Sequence, residues 1–513
     1  MKSSKILTAL LALSMVASPA ANAQLNLGNM LNKAKNEATR KVKQSAETSA
    51  HQAASKAKMK ARDAAKDAAR NAGTKLARGL TTSSGGEYIN NGTVYYVSPT
   101  GSKKNDGLSP EKPFKNLQHA IDQAKDGAVI MVAEGNYLGT FDVGYIEIKD
   151  KYLSLVGGWS TDFSERDPYT YITRIQPGEN CVETNGSKAL LEIEARRWGN
   201  ILIDGFGFDL GYQNLYAAPN SDERNGWPEG CETGRIQAVG EGLGANGSVG
   251  GSTQSHQLIH GVVKGNVYIR NCVFANGGYY GVQMMNMEGN WEISNNVFVA
   301  NSYASCQIDS MNKDANTTSV DFFNNTVLFT WCRTKIMEDM GYAFRFMSRM
   351  DANVHDNIFG CSNLGALDYT HQDSNKAIEA KRKVSLRDNQ FFMNKGDLIL
   401  PSASYKWLYI RCDQFDEVDE ELFDDEGNNV EMTDLNFIKA ISQPYLNGFA
   451  GIEVMQSSNF NRNSAANQVR EALGLNMRGT ETVRVSMYGN RYPFEEAYKL
   501  FGALEGCGAQ LTF

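Results

Sequence analysis

The chain has 513 residues, of which 42% are hydrophobic and 21% charged, and its formal net charge is −7. After the first 23 residues, no run approaches the ~18 consecutive apolar residues of a membrane-spanning helix, so a further transmembrane span is excluded. The charge is unevenly distributed. Residues 24–80 contain 13 Lys and Arg against four Asp and Glu, which leaves a net charge of −18 on residues 81–513.

The first 23 residues have the pattern of a secretory signal peptide. Lys2 and Lys5 precede the apolar run Ile6–Ala17, and the segment ends on the small residues of Ala21–Ala23. This pattern predicts cleavage before Gln24 and export to the periplasm, the outer surface or the extracellular space. Nucleic acid is not expected as the partner of an exported chain.

Residues 24–80 form a basic, Ala/Lys-rich arm without proline or aromatic residues. Small apolar residues recur every ~3.8 positions, which predicts an α-helix with a narrow apolar stripe. Two interpretations stay open. The arm attaches to an anionic envelope surface such as lipopolysaccharide, acidic glycan or phospholipid, or it is a solvated helical spacer whose charge keeps it soluble. Residues 81–92, which begin TTSSGG, are predicted to be a linker.

Six segments of similar sequence lie between residues 93 and 432. Aligned on their last residues, they give a hydrophobic column of Phe208, Phe274, Phe298, Leu328, Phe359 and Phe391. Three positions earlier lies a column of Gly205, Asn271, Asn295, Asn325, Asp356 and Asp388. Short strands with alternating β-branched and polar residues, repeated every ~20–30 residues, are typical of a β-solenoid. Because each coil buries its apolar face only against its neighbours, we predict an all-β solenoid, a parallel β-helix, over residues 93–432.

Residues 93–137 read as a strand, a loop rich in Gly, Asp and Pro, a short helix over Phe114–Ala124 and a second strand. The characteristic residues are Val97, Ser98, Gly101, Asn105, Asp106, Gly107, Lys112, Pro113, Phe114, Ala120, Ile121, Gly135 and Tyr137. This arrangement resembles the opening of pectate-lyase-like proteins, which are right-handed, single-stranded parallel β-helices. The resemblance implies the same fold here, in an exported bacterial protein, with an N-terminal helical cap over the open end of the core. It implies no single chemistry, because that superfamily contains polysaccharide lyases, hydrolases and non-catalytic members.

Residues 433–513 follow the last repeat and contain two helical stretches, Ser464–Leu473 and Phe494–Phe501. We predict that they form a C-terminal cap covering the last coil. The eight cysteines of an exported chain allow disulfides. A body of this size buries a core without them, however, and most of these cysteines are expected to be buried free thiols.

The candidate functional residues lie on one outward-facing strand of successive coils. Nine residues after the hydrophobic column come Gln283, Gln307 and Asp368, and Arg345 takes the same place after an eight-residue insertion, Cys332–Asp339. Apolar residues alternate with this row, as inward-facing positions must. In the proteins that this fold resembles, the equivalent sheet and its loops form a groove for a polysaccharide.

A polysaccharide lyase acting on an acidic glycan needs a cation for the sugar carboxylate, a base and a proton donor. Arg345 and Lys335, which lies on the inserted loop, are the basic candidates. Asp309 and Asp368 complete the candidate catalytic set. The candidate substrate-binding residues are Gln283, Gln307, Tyr369 and His371, with Gln237 predicted to begin the row one coil earlier.

Asp309 and Asp368 flank Arg345 in the predicted row and could hold Ca²⁺, the one cofactor that the pattern allows. The two carboxylates are predicted to lie about 11–12 Å apart, whereas an inverting glycoside hydrolase needs ~6.5–9.5 Å, so hydrolysis is disfavoured. No CxxC, HExxH or His-x-His pattern indicates another metal, and His256 and His260 are predicted to lie in a Gly-rich loop.

Three functions stay open after this pattern is taken into account. The chain is an exported polysaccharide lyase acting on an acidic glycan, a non-catalytic glycan-binding protein, or a structural envelope protein anchored through its basic arm. In the last two cases Arg345 and Asp368 can be a simple surface ion pair between coils, such as any solvated sheet carries.

Overall fold

The computed structural model describes residues 89–139, 145–177, 189–210, 257–278, 280–311, 318–330, 341–401, 407–418, 422–451, 461–477 and 491–511. All of them belong to the second of the two units into which the chain divides, Arg70–Phe513. The predicted signal peptide and basic arm lie outside the described residues. At the end of the predicted linker, Ile89 and Asn90 are buried, and the Asn90 amide donates to Ser154 Oγ at 3.0 Å. No helix in the described ranges is long and apolar enough to cross a membrane.

Within these ranges the strands form a sheet of 16 strands and a sheet of nine. The larger sheet contains β1 (Val94–Val97), β2 (Ala128–Ala133), β4 (Ile146–Lys149), β5 (Leu153–Trp159), β7 (Leu191–Asp204), β9 (Ile259–Arg270), β11 (Tyr280–Ser294), β13 (Ala304–Ser310), β14 (Thr318–Phe323), β16 (Tyr342–Phe346), β17 (Asp351–His355), β19 (Gly365–Asp368), β20 (Val384–Arg387), β22 (Leu398–Pro401), β23 (Trp407–Ile410) and β24 (Asp425–Gly427). The smaller sheet contains β3 (Gly135–Tyr137), β6 (Thr173–Ile175), β8 (Phe206–Asp209), β10 (Val273–Ala275), β12 (Val297–Val299), β15 (Thr326–Leu328), β18 (Ile358–Gly360), β21 (Gln390–Phe392) and β25 (Val430–Glu431).

Helices are few and short in the described part of the chain. They are α1 (Leu117–Gln123), α2 (Lys376–Glu379), α3 (Gln443–Gly451), α4 (Ala465–Ala472) and α5 (Phe494–Ala497), with 3₁₀ turns at Cys412–Glu417, Leu435–Ala440 and Tyr498–Leu500. The described strand pairs are parallel except β22 with β23. This architecture, mostly β with long parallel sheets, is consistent with the predicted parallel β-helix.

The larger sheet bends where β7, β9 and β11 pass from one face of the solenoid to the next. The first halves of these strands, with β4, β13, β16, β19 and β22, form what we call face 1. Their second halves, with β1, β2, β5, β14, β17, β20 and β24, form face 2. The smaller sheet is face 3. At the bend a Cβ on Gly265 would lie 1.9 Å from the Gly199 carbonyl oxygen, so only glycine fits there.

The predicted hydrophobic column is present in the core, with one correction. Phe208, Phe274 and Phe298 follow one another in register, and their stacked ring centroids lie 5.2 and 4.7 Å apart. The next member is Val327 rather than Leu328, because Val327 pairs with both Phe298 and Phe359. Leu328 instead points outward from face 3 and packs in a second apolar cluster.

The polar column also differs from the prediction by one position. The left-handed turn conformation lies at Asn271, Asn295, Asn324, Asp356 and Asp388, so Asn324 replaces the predicted Asn325. The next position along forms a buried ladder of amide side chains. Asn296, Asn325, Asn357 and Asn389 each donate through Nδ2 to the next member, at 3.0, 3.1, 2.9 and 2.9 Å, and the series ends at Asn429. These bonds join successive coils inside the turn.

The two ends of the core are lined by different elements. Helix α1 begins after Asn116, whose side chain accepts from His119 N at 2.9 Å, and it buries Leu117 and Ile121 among the first strands. At the other end Phe415 packs edge-on against Phe391, the last member of the hydrophobic column. The 3₁₀ turn Cys412–Glu417 therefore lies over the last coil.

The described residues between 433 and 511 pack along face 3, which differs from the predicted location over the last coil. Phe329 of face 3 contacts Tyr445 and Phe449 of α3 with ring centroids 4.8 and 5.0 Å apart. Further along the face, the Ala509 amide donates to Thr326 Oγ1 at 2.9 Å. Near its start, Tyr169 Oη donates to the Gln510 carbonyl at 3.1 Å. The C-terminal region thus covers the outward apolar residues of many coils at once.

The cysteine prediction is confirmed for the residues that the structure describes. Cys272, Cys306, Cys361, Cys412 and Cys507 are free and buried. Burial raises the pKa of each thiol, that of Cys272 to about 12. These cysteines therefore act as small apolar residues of the core. Cys181, Cys231 and Cys332 lie outside the described residues.

A histidine on face 2 is expected to make stability depend on pH. His355 contacts Asp356 Oδ2 through Nδ1 at 2.9 Å and Asp321 Oδ1 through Nε2 at 3.0 Å. Partial burial opposes its charge, but the bonds to the two carboxylates outweigh burial and raise its pKa to about 9. Because the folded pKa lies above the unfolded value of about 6.5, the stabilisation is complete below pH ~6.5 and is lost as pH rises through about 9.

We expect urea denaturation to show the free energy of unfolding falling by about 1–3 kcal/mol over that window, after allowance for solvent screening. The same series on His355→Asn is expected to lack this fall. An equal fall in the variant would mean that other groups cause it.

Candidate functional site

The candidate site is a row of side chains that point outward from face 1. Its members follow one another in strand register: Glu147, Glu192, His260, Gln283, Gln307, Arg345 and Asp368. The inward neighbours Val282, Cys306, Phe344 and Leu367 lie in the core, which fixes the outward direction of the row. The nine-residue spacing predicted this register for Gln283, Gln307, Arg345 and Asp368.

The N-terminal half of the row differs from the prediction. His260 belongs to β9 and directly precedes Gln283 in register, so it holds the place predicted for Gln237 and does not lie in a loop. Gln237 is outside the described residues. Glu192 precedes His260 and was missed by the sequence reasoning, although the alternation in LEIEA around it is a strand signal.

Arg345 is buried, which corrects the prediction of an exposed pair. Only 5% of its side chain is exposed, and 0% of the Asp368 side chain. Arg345 Nε donates to Asp368 Oδ2 at 2.5 Å, and Nη1 donates to Gln307 Oε1 at 3.2 Å. Nη2 donates to His371 Nε2. The guanidinium therefore links Gln307 of the preceding coil with Asp368 and His371 of the following coil.

Three tyrosines enclose this guanidinium. Cζ of Arg345 lies 5.4 Å from the ring centroid of Tyr342 and 5.9 Å from that of Tyr303. Tyr280 packs edge-on against Tyr303 at 4.5 Å, and all three rings belong to one apolar cluster. Tyr280 and Tyr342 each lie three residues before a row member. This spacing was the sequence signal that could have predicted the wall of tyrosines beside Arg345.

The charges of this network are fixed by its geometry. Burial alone would lower the pKa of Arg345, but Asp368 and the neighbouring tyrosine hydroxyl groups raise it. The pKa of His371 is lowered, first by partial burial and then by the adjacent Arg345. Because a guanidinium can only donate, Nε2 of His371 accepts and Nδ1 carries the ring proton. Arg345 is thus a cation held in place by its hydrogen bonds. The geometry gives no support to its predicted role as a base.

Asp309 lies two residues along β13 from Gln307 and is half-buried. Gln307 Nε2 lies 3.1 Å from each of the two carboxylate oxygens. The pKa of Asp309 is raised because its burial outweighs the opposing effects of Gln307, Arg345 and His260. Gln307 therefore connects this carboxyl to the arginine network.

Tyr369 is not part of the outward row, which corrects its prediction as a substrate-binding residue. It is buried in the core, with its ring 5.8 Å from Phe346 and 6.0 Å from Phe423. Its hydroxyl donates to the Leu422 carbonyl oxygen at 3.2 Å. The strand alternation explains this, since Tyr369 directly follows the outward-facing Asp368. Lys335 lies outside the described residues.

The fit of calcium to Asp309 and Asp368 can be judged from the oxygens that they offer. Asp368 Oδ2 accepts from Arg345, and its Oδ1 accepts from the Thr370 amide at 2.8 Å. Ca²⁺ requires six to eight oxygen ligands. Across the ranges described, no three His, Cys, Asp or Glu side chains come together as metal ligands. The geometry gives no argument for calcium here, and that assignment stays a prediction.

Comparisons with known proteins add little to this description of the fold and the site. Models of known protein families give no match. An uncharacterized protein of Bacillus subtilis (strain 168), YwoF, is 48% identical over 52 residues, which is 10% of this chain and 11% of that protein. The chain therefore spans about a tenth of the length of this curated relative.

Three solved structures are similar to this chain, each with a low TM-score. A rhamnogalacturonan lyase has a TM-score of 0.29 at 12% identity, over 59% of this chain and 73% of its own. A pectin methylesterase mutant in complex with a hexasaccharide has a TM-score of 0.26 at 10% identity, over 66% and 93%. The family 28 exopolygalacturonase of Yersinia enterocolitica has a TM-score of 0.21 at 12% identity, over 62% and 67%.

Proposed function

We propose that this chain is an exported, carbohydrate-active protein that binds a polysaccharide along the outward row of face 1. The observation that carries the proposal is the arrangement around Arg345. A buried arginine holds Gln307 and His371 in fixed orientations, and these side chains lie beside a wall of tyrosines. Because the tyrosine rings are themselves buried, they fix the arginine, and the polar groups of the row that a sugar can reach are those of His371, Gln283 and His260.

The dimensions of the row suit a chain of sugars. Neighbouring coils are ~4.8 Å apart, so the four steps from Glu192 to Arg345 span about 19 Å. A ligand lying along the row would meet one polar side chain per coil. The sequence resemblance of residues 93–137 to pectate-lyase-like proteins supports the same assignment.

The finer proposal is β-elimination on an acidic glycan. Arg345 remains charged, so it can help to neutralise a sugar carboxylate, although it shares its guanidinium with Asp368. Lys335 is the second cation in this proposal. Asp309, with its raised pKa, is the groove carboxyl suited to exchanging a proton.

A non-catalytic glycan-binding protein is the alternative function. It is favoured because Arg345 and Asp368 neutralise each other. The ion pair then orients the neighbouring side chains and takes no part in a reaction. The basic arm at residues 24–80 would add attachment to an anionic envelope surface in either case. Deleting the arm should then release the protein from the cell fraction without changing its affinity for glycans.

Glycan binding is tested by affinity electrophoresis in gels containing pectate, alginate or a glycosaminoglycan. At least one polysaccharide should retard the protein, and Gln283→Ala should weaken that retardation about fivefold, the effect of one lost hydrogen bond. Asn353→Ala, on face 2, is the matched control and should bind like the wild type. Ultraviolet absorbance of an unsaturated uronate product reports β-elimination in the same samples. Absence of retardation by every polysaccharide would refute the proposed function.

A further inference from the structure

A second polar arrangement in the row lies away from the arginine network. His260 Nδ1 and Glu192 Oε1 are 2.6 Å apart, on neighbouring strands of face 1. The side chains are 35% and 24% exposed, so both can be reached from the groove. An ionised carboxylate can only accept, so Nδ1 carries the proton of the neutral imidazole. The other ring nitrogen, Nε2, is then the basic atom presented to a bound molecule.

The surroundings of His260 suit proton transfer beside a bound sugar. On the next strand Gln283 is neutral, and its Oε1 accepts from Gln257 Nε2 at 2.8 Å. Asp309 lies two strands and two residues away, about 12 Å between Cα atoms. On its own strand the nearest charge is Lys264, which pairs with Glu288 at 3.2 Å. By the same spacing Glu194, one strand and two residues away, and Glu147, two strands away in register, lie nearer than Asp309. Of these acidic groups, Glu192 is the one that bonds the imidazole.

We infer that His260 is the base of the groove and that Glu192 positions it. The inference rests on the lyase form of the proposed function. Nε2 takes the proton from the sugar carbon that bears the carboxylate, and the electron pair of that C–H bond becomes a carbon–carbon double bond. The bond from the adjacent carbon to the glycosidic oxygen breaks. That oxygen takes a proton from water, and the imidazolium neutralises the hydroxide that remains.

This role differs from the one that the sequence pattern gave to Arg345. A guanidinium paired with a buried carboxylate cannot accept a proton, whereas a neutral imidazole oriented by a carboxylate can. The same pairing of an imidazole with an orienting carboxylate serves other enzymes that move protons near neutral pH. Three coils of ~4.8 Å separate His260 from Arg345, about 14 Å in all, so Arg345 would meet the carboxylate of a neighbouring sugar and not of the sugar that His260 deprotonates.

The first experiment uses the full chain with His260→Asn, and His119→Asn on α1 as the matched control. Turnover of the glycan that the wild type cleaves should fall about 10²–10⁴-fold in His260→Asn, the usual contribution of a general base. Retention of that glycan in affinity gels should weaken by no more than about fivefold, the loss expected for one row member, which is far smaller than the loss of turnover. The control variant should match the wild type in both measurements.

The second experiment separates positioning from structure. Glu192→Gln removes the carboxylate that orients the imidazole, so kcat should fall while KM stays close to the wild-type value. Glu192→Asp should restore part of kcat. A residue with a purely structural role would lower the amount of folded protein without this split between kcat and KM.

The outcomes distinguish this inference from the proposed function. If no polysaccharide is retained by the wild type, the proposed function fails and the inference falls with it. If the wild type binds a glycan but releases no unsaturated product, binding stands and the inference is wrong. If product forms and His260→Asn is within about tenfold of the wild type, another residue is the base.

Discussion

Asp368→Ala is expected to lower the free energy of unfolding by about 3–5 kcal/mol. The substitution leaves the Arg345 guanidinium buried without its carboxylate, and an uncompensated buried charge is among the most destabilising changes in a protein. Urea denaturation followed by circular dichroism measures the change. The sequence pattern alone placed this pair on the surface. On that basis the expected loss in the free energy of unfolding would be at most about 1 kcal/mol.

The matched control is a second arginine–aspartate pair between coils. Arg387 and Asp425 bond across face 2 with 40% and 48% of their side chains exposed. Asp425→Ala should therefore cost less than about 1 kcal/mol. The double variant Arg345→Met with Asp368→Leu should recover most of the loss, because apolar residues can replace a buried pair. Equal effects of Asp368→Ala and Asp425→Ala would contradict the burial of the first pair.

Asn357→Ala is expected to lower the free energy of unfolding by at least about 2–3 kcal/mol. Its Oδ1 accepts from the amide and the side chain of Asn325 at 2.9 and 3.1 Å. Its Nδ2 donates to Asn389 Oδ1 at 2.9 Å and to the Phe322 carbonyl at 2.8 Å. Removing the side chain leaves buried groups on both neighbouring coils without partners, and each such group costs about 1–3 kcal/mol.

Asn353→Ala is the control for the ladder, because this asparagine lies four residues earlier and is exposed on face 2. Thermal and urea denaturation of this variant should differ from the wild type by less than about 0.5 kcal/mol. A small effect of Asn357→Ala would mean that water or a shifted backbone satisfies the ladder after the side chain is removed.

The strand repeat was predictable because burial imposes a strict pattern on it. Phe208, Phe274 and Phe298 each follow, three positions later, a residue in the left-handed conformation, so the alignment of their segments was unambiguous. The segment VDFFNNTVL was not, since it contains two adjacent phenylalanines and two adjacent asparagines. Either asparagine can adopt the left-handed turn, and either Val327 or Leu328 suits an apolar position. The register there is decided by pairing with neighbouring coils.

The outward row was predictable in position but not in environment. The spacing from the hydrophobic column located Arg345, while its burial comes from Tyr303 and Tyr342, which a linear pattern does not bring together. His260 was missed because a long Gly-rich segment precedes it and hides the start of its strand. The location of the C-terminal helices α3, α4 and α5 was also not predictable, because an amphipathic helix pattern does not say which apolar surface the helix covers.

The packing of the C-terminal region along face 3 has a consequence for how the coils hold together. Coils that touch only their nearest neighbours can separate one at a time from an end. Here the last residues of the chain reach back more than 300 positions, from Gln510 to Tyr169 and from Glu495 to Arg174. The C-terminal region thereby joins distant coils, so its loss should weaken all of these coils together. We expect the solenoid to unfold in a single all-or-none step instead of fraying from one end.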